Sequence, residues 1–336
     1  MLTNEQLLQE LNRKFFGSKS LFTDSDLTSG GGLLNARQLA QFLEETLERS
    51  VMRKECRSES GAEKTFDMDK IEFAELLIQT PASEGTEHTT TTEPSTSQVT
   101  ITAVEYLIAV NLGYSSLRNS IEKAGFENKL MKRISNKTGT DLEAVAVNSD
   151  TVTGATVYDD NQGWFQLGAT DHEVDHASGN FASTADKTLL LFDSMLDALP
   201  KKYLDSTDLK AWRFYVHVDC EWLYRRWLTA IGATHAGAMN YLIDNPPVFY
   251  QGIPVIGVPR LSRSTAGTPS YYLSKAMLCH PKNLIEYIQT NISFVSENKP
   301  RKRQVEITGT INVDWQIEET DAVVVAKDIK HNLATT

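Results

Sequence analysis

Residues 304–318 read QVEITGTINVDWQIE. Val305, Ile307, Gly309, Ile311, Val313, Trp315 and Ile317 alternate without a break with Gln304, Glu306, Thr308, Thr310, Asn312, Asp314, Gln316 and Glu318. A period of two puts every apolar side chain on one face, which predicts a long strand with that face buried. A strand over 291–296 is predicted just before it. The connection is Asn298-Lys299-Pro300-Arg301-Lys302-Arg303, a basic loop at a strand turn. Residues 321–329 (DAVVVAKDI) supply a last strand.

Further back the pattern is mixed. Residues 70–80 and 99–112 are β-branched and apolar and read as strands. The polar, Thr-, Ser- and Pro-rich stretch TPASEGTEHTTTTEPSTSQ joins them, so they form a projecting hairpin whose tip cannot bury a core of its own. Helices are predicted over 4–16, 35–57, 114–123, 126–147, 185–199 and 220–231. The longest carries Leu130, Met131, Ile134, Leu142 and Val145 on one stripe, with Gly139 weakening its middle. Ser29-Gly30-Gly31-Gly32 marks a linker, and 58–64 is polar. Residues 151–183 read as loop with short strands, 211–218 as a strand, 246–259 as two short strands, and 277–290 as a strand and a short helix. The fold class is α+β.

Composition narrows the function. The chain has 336 residues, 40% of them hydrophobic, which is ordinary for a folded protein and too high for disorder. No apolar run approaches the roughly 18 residues of a membrane span, and residues 1–9 lack the pattern of a secretory signal. Three separated cysteines, Cys56, Cys220 and Cys279, suggest a reducing compartment and no disulfide framework. The net charge of −11 argues against a generic nucleic-acid surface. It is unevenly spread. Residues 71–117 hold six Glu and no base, and 138–186 hold nine acids and no base, so the rest of the chain is net positive. Such windows are either solvated loops or surfaces that meet a partner.

One motif has an enzyme's spelling. His172-Glu173-Val174-Asp175-His176 matches H-E-x-x-H, in which two His on one helix face hold zinc and the Glu acts as general base. Gly, Thr and Asp precede it, Ser-Gly-Asn follows, and no apolar stripe surrounds it, so a polar loop is expected instead. Asp159-Asp160-Asn161-Gln162-Gly163 starts like a calcium loop, but Thr170 stands where the bidentate Glu belongs. No phosphate-binding glycine loop, G-x-S-x-G or C-x-x-C occurs. No catalytic residue, cofactor or metal is expected. The basic loop 299–303 suits a surface or inter-subunit tip, with a nucleic-acid contact as the other reading.

The order of parts resembles a known family. A helical arm opens with Gly-Gly-Leu-Leu-Asn (31–35) and is followed by a projecting hairpin. Next come a long helix closing on Asp141-Leu142-Glu143-Ala144-Val145-Ala146-Val147-Asn148-Ser149-Asp150 and a Gly163-Trp164-Phe165 turn. Pro247-Val248-Phe249-Tyr250-Gln251-Gly252-Ile253-Pro254-Val255 lies in a compact α/β region, and long strands close the chain. Together they resemble the major capsid proteins of tailed double-stranded DNA bacteriophages, with the Hong Kong 97-type capsid fold.

The resemblance implies an N-terminal extension (1–29), an N-arm (30–65) and an E-loop (66–112). It implies a P-domain of 113–184 and 283–318, with a spine helix near 126–148 and a P-loop at 297–303. The A-domain would be 185–282 and 319–336. It implies no enzyme, but a shell built from pentamers and hexamers of this chain. Portal, scaffold and decoration proteins would be partners, DNA would be enclosed without sequence-specific binding, and no membrane would be involved. The place would be the virion, assembled in the host cytoplasm. From Ile71 on the hairpin has no Lys, so the Lys–Asn cross-link of some members is not expected from it. Its Glu84, Glu87 and Glu93 would need basic acceptors on a neighbour. Lys299, Arg301, Lys302 and Arg303, or Arg49, Arg53, Lys54 and Arg57, are the candidates. An encapsulin-type compartment in the same fold is one alternative, and a zinc hydrolase using His172, Glu173 and His176 is a remote one.

Overall fold

The computed structural model describes residues 50–72, 93–113, 126–151, 156–176, 185–206, 208–232, 247–262, 264–266, 271–289 and 293–331. The expected helices over 4–16 and 114–123, the glycine linker, most of the 35–57 helix and the hairpin tip lie outside these. In chain order the elements begin with α1 (Met52–Glu55), β1 (Arg57–Gly61), β2 (Thr65–Glu72), β3 (Ser95–Thr102), β4 (Val104–Gly113), α2 (Phe126–Asn148), α3 (Trp164–Leu167) and β5 (Glu173–Asp175). Then come α4 (Ala185–Ala198), α5 (Lys201–Ser206), β6 (Arg213–His217), α6 (Val218–Gly232), β7 (Val248–Tyr250), β8 (Ile253–Val258), β9 (Ser264–Ala266) and β10 (Tyr271–Cys279). β11 (Leu284–Gln289), β12 (Ser293–Lys299), β13 (Gln304–Ile317) and β14 (Val323–His331) complete the described chain.

β13 is the alternating stretch, and its length has a reason. On one edge it pairs antiparallel with β4 over 304–313. On the other it pairs with β12 over 304–310 and then with β11 over 313–317. Only a strand of this length can serve two partners in series. Ile307, Ile311, Val313, Trp315 and Ile317 are buried as expected. Asp314, expected on the polar face, is buried too. Its carboxylate accepts from the amides of Thr102 (3.0 Å) and Trp315 (2.8 Å) and from the Asn161 side chain (2.7 Å). Those bonds hold the ionised form against burial, which pushes the Asp314 carboxyl upward from its ordinary range.

Several expectations change. The stretch 99–112 is two strands, not one. Thr102 ends the hairpin arm and Val104 starts a strand of the β13 sheet, with buried Ala103 between them donating to the Lys64 carbonyl (2.9 Å). The hairpin is therefore β2–β3, paired from Thr65↔Thr102 to Glu72↔Ser95. Residues 57–61, read as helix end and polar loop, form β1, which pairs parallel with β11. Nothing in RSESG announces a strand; β11 supplies its partner. The predicted helix in 277–290 is a 3₁₀ turn (Pro281–Asn283) leading into β11. All six residues of β11 are buried, so it lacks the alternation that would mark it as a strand. Gly163-Trp164-Phe165 is the start of α3 rather than a turn.

β14, β10, β6 and β8 form the middle of a seven-stranded sheet, in which β6–β8 and β5–β14 are parallel pairs. α4 and α6 bring Leu191, Phe192, Met195, Cys220 and Tyr224 into its core. A second core joins α2 and α3 to residues of both sheets, with Trp164, Phe165, Trp315, Met277 and Val323 all buried in it. α2 spans Phe126–Asn148, as its stripe requires. Among the described residues no helix is long and apolar enough to cross a membrane.

Candidate assembly surfaces

The basic turn sits where β12 meets β13. The Lys302 amide donates to the Lys299 carbonyl (3.0 Å) and that of Arg303 to Pro300 (3.2 Å), and Arg303 takes a left-handed φ of 52° to close the turn. Arg301, Lys302 and Arg303 are exposed. Lys299 is committed locally. Its ammonium pairs with Glu306 and lies 3.5 Å from Glu297, while Lys302 lies 3.7 Å from Glu306. Glu297 and Glu306 face each other directly across the strands, a repulsive pair that Lys299 bridges. The Lys299 ammonium, with the Gln304 amide, holds the Glu306 carboxyl below its ordinary range. Arg301, Lys302 and Arg303 therefore carry the outward charge of this tip, Lys302 with Glu306 at 3.7 Å.

The other proposed basic cluster is largely spent inside the chain, which corrects the expectation for Arg53. Arg53 is 1% exposed, and its Nε donates to Glu286 Oε1 at 2.5 Å. Its Nη1 reaches the Gly139 carbonyl (3.2 Å), so the weak point of α2 is braced by α1. Arg57 pairs with Glu59 (2.9 Å) and Glu318 (3.1 Å). Lys54 is exposed. Arg49, Glu84 and Glu87 lie outside the described residues, and Glu93 is exposed at the foot of β3. The buried Glu143 carboxylate accepts from the amides of Val51 (2.6 Å) and Met52 (2.8 Å), satisfying donors at the start of α1.

The hairpin has a packed root and an exposed shaft. Phe66, Met68, Ile101 and Ala103 pack against Ile285 and Tyr287, with Phe66 stacked on Tyr287 at 5.3 Å. Beyond them Asp69, Ile71 and the run 95–98 are exposed. Lys70 falls within 66–112 and pairs with Glu319 of its own chain. Asp314 ties the end of the shaft to β13 through Thr102. Sequence reasoning missed Asp314 and Glu286. The only signal for Asp314 was an acid beside the Trp of an otherwise regular strand.

The H-E-x-x-H match is extended, not helical. Glu173–Asp175 is β5, and four extended residue steps carry the chain about 13 Å from His172 to His176. His172 Nε2 bonds Asp321 (2.8 Å) and Glu173 pairs with Lys327 (2.9 Å). The zinc-hydrolase geometry is overturned. Hydrogen bonds from Lys202 first, then His172, lower the Asp321 carboxyl to about 2. In the acidic 159–163 segment Asp159 accepts from Thr156 and Asn161 turns to Asp314, so the side chains do not converge on a cation. The three cysteines are free thiols, and burial pushes those of Cys56 and Cys220 up to about 12. They are poor nucleophiles at neutral pH.

No family model matches the chain. A curated relative does: "Putative prophage capsid protein YqbE" of Bacillus subtilis (strain 168) is 30% identical over 319 residues, 93% of this chain and 97% of that protein. The chain belongs to the phage capsid protein family. Among solved structures, the procapsid of satellite phage P4 with its size-determination protein matches 98% of this chain and 99% of its own, at a TM-score of 0.61 and 13% identity. The holo-SrpI encapsulin complex of Synechococcus elongatus PCC 7942 matches 82% of this chain and 85% of its own, at 0.50 and 12%. This capsid protein has the Hong Kong 97-type fold, in the α+β class. Leu107 (67%), Ile71 (63%), Trp222 (50%) and Phe249 (49%) are exposed as single apolar side chains on β4, β2, α6 and β7.

Proposed function

We propose that this chain is the major capsid protein of a tailed double-stranded DNA bacteriophage, forming pentamers and hexamers that close into an icosahedral shell around the genome. The capsid relative spanning 93% of the chain carries this reading, and the projecting β2–β3 shaft agrees with it. Under it the chain has no catalytic role and acts within the virion after assembly in the host cytoplasm. Portal, scaffold and decoration proteins would be its other partners. Residues 30–65 serve as N-arm and α2 as the spine helix. The E-loop spans 66–102, because 104–113 belong to the β13 sheet. The turn after β12 is the P-loop, and the seven-stranded sheet with α4 and α6 forms the A-domain.

The E-loop of one subunit lies over its neighbour, and its glutamates meet the P-loop bases there. Single exposed pairs are worth only about 0–1 kcal/mol, so the effect comes from repetition over the shell. Replacing Lys299, Arg301, Lys302 and Arg303 together by Ser lowers shell yield and shell melting temperature. The Arg301→Ser/Arg303→Ser pair alone reproduces most of the loss, because Lys299 and Lys302 already face Glu306. Unchanged yield and melting in the quadruple variant would remove the P-loop from this scheme. Part of the acidic window 138–186 faces the lumen and keeps the wall from holding DNA.

Negative-stain microscopy of the expressed protein tests the class, with icosahedral shells or hexamers expected. Particles carrying DNA fit the phage reading, whereas particles carrying only a protein cargo favour the encapsulin alternative in the same fold. Dispersed chains under all assembly conditions would sink both.

A further inference from the structure

At one end of the seven-stranded sheet three side chains meet. His217 ends β6, Asp219 lies in the first turn of α6, and His331 ends β14. β6 and β14 are both antiparallel to β10, which lies between them, so their C-termini lie at the same end. Strands two apart are about 9.6 Å from each other. The two imidazoles nonetheless lean together across β10 and stack at 5.4 Å, with 23° between their planes. His331 is fully buried and His217 is 8% exposed. Asp219 Oδ2 is 3.4 Å from His217 Nδ1 and 3.9 Å from His331 Nδ1, and one ligating atom from each residue falls within 4.8 Å of the others.

We propose that His217, Asp219 and His331 form a binding site for a divalent transition cation of the zinc class. Zinc bonds of about 2.0–2.2 Å in a tetrahedron put neighbouring ligand atoms about 3.3–3.5 Å apart. The Asp219–His217 pair is already at that spacing, and the His331 ring needs only a small shift. The Asp219 amide donates to His217 Nδ1 at 3.1 Å, so that nitrogen is unprotonated and its lone pair is directed at the first turn of α6. Coordination exchanges this bond for the metal. Two imidazoles and one carboxylate favour zinc, cobalt or nickel over calcium or magnesium, which prefer all-oxygen shells. The Asp219 charge offsets the positive end of α6. A bound ion clips the end of β14 to the end of β6, and a fourth position remains for water.

The full-length chain, stripped with EDTA and exposed to Zn²⁺ alone, retains one Zn²⁺ per chain after gel filtration. Co²⁺ alone gives the visible absorption of a low-coordinate site. Asp219→Asn, at a partly exposed position, keeps the circular dichroism spectrum and weakens binding more than about 100-fold. His217→Gln does the same and so guards against a misfolded single variant. Zinc no higher than in a buffer blank, or equal binding by both variants, overturns the site.

Discussion

Arg53→Ala lowers the unfolding free energy of the unassembled subunit by about 3–5 kcal/mol. The Arg53–Glu286 pair is wholly buried, at 2.5 Å, and Glu286 also accepts from Trp315 Nε1 (3.2 Å). Removing the guanidinium leaves the Glu286 carboxyl buried in the core with one indole donor, and stripping a buried carboxyl of its partner is among the costliest single changes. It also frees the Gly139 carbonyl, so α2 loses its brace at its weakest residue. Denaturant titration reads the effect as a lower midpoint at unchanged slope. The double replacement Arg53→Met/Glu286→Met recovers most of the loss, because the desolvation penalty goes with the charges. A single variant within about 1 kcal/mol of wild type would show that the pair does not organise the core. The consequence for the shell is direct: Arg53 joins the proposed N-arm to the sheet from which the hairpin projects.

Trp164→Ala costs a similar amount, about 3–5 kcal/mol. Trp164 is fully buried, and its Nε1 donates to the Ile285 carbonyl (3.2 Å). Its short helix is held by close approaches of Gly163 to the end of α2 and of Gly168 to β14. A Cβ on Gly163 would lie 2.6 Å from the Ala146 carbonyl, and one on Gly168 would lie 2.8 Å from Val323 Cγ1. Such surroundings collapse little into a cavity, which puts the loss at the upper end. The same core holds residues of both sheets, so the variant also loosens one sheet relative to the other. Shells of this variant should melt earlier and assemble in lower yield. Equal midpoints for variant and wild type in denaturant would refute the wedge role.

The elements with strong periodicity are legible in the sequence. β13, α2, α4, α6 and the paired strands β7–β8 fall within a few residues of their expected bounds. Their signal is local: one face is buried, and the period records it. The basic turn is legible for the same reason, because Pro and a run of bases interrupt two alternating strands. The elements that escape are those whose neighbours define them. β1 is polar and becomes a strand only beside β11. β11 is buried on both faces and so shows no alternation. The break at Ala103 depends on two different partners, β2 and β13, competing for one continuous β-branched run.

The same division holds for charge. The sequence by itself determined the acidic windows, the absence of bases from 71 to 117, the four-base turn and the order of parts that resembles a capsid protein. Only the tertiary structure decided which of those charges face outward. Arg53 and Glu286, 233 positions apart, cancel in the core. Lys299 is held by Glu306, and Asp314 roots the hairpin. His217 and His331 meet across a strand neither adjoins in sequence. A side chain's charge is fixed by its chemistry, but its availability depends on desolvation and on partners that the chain brings together from afar.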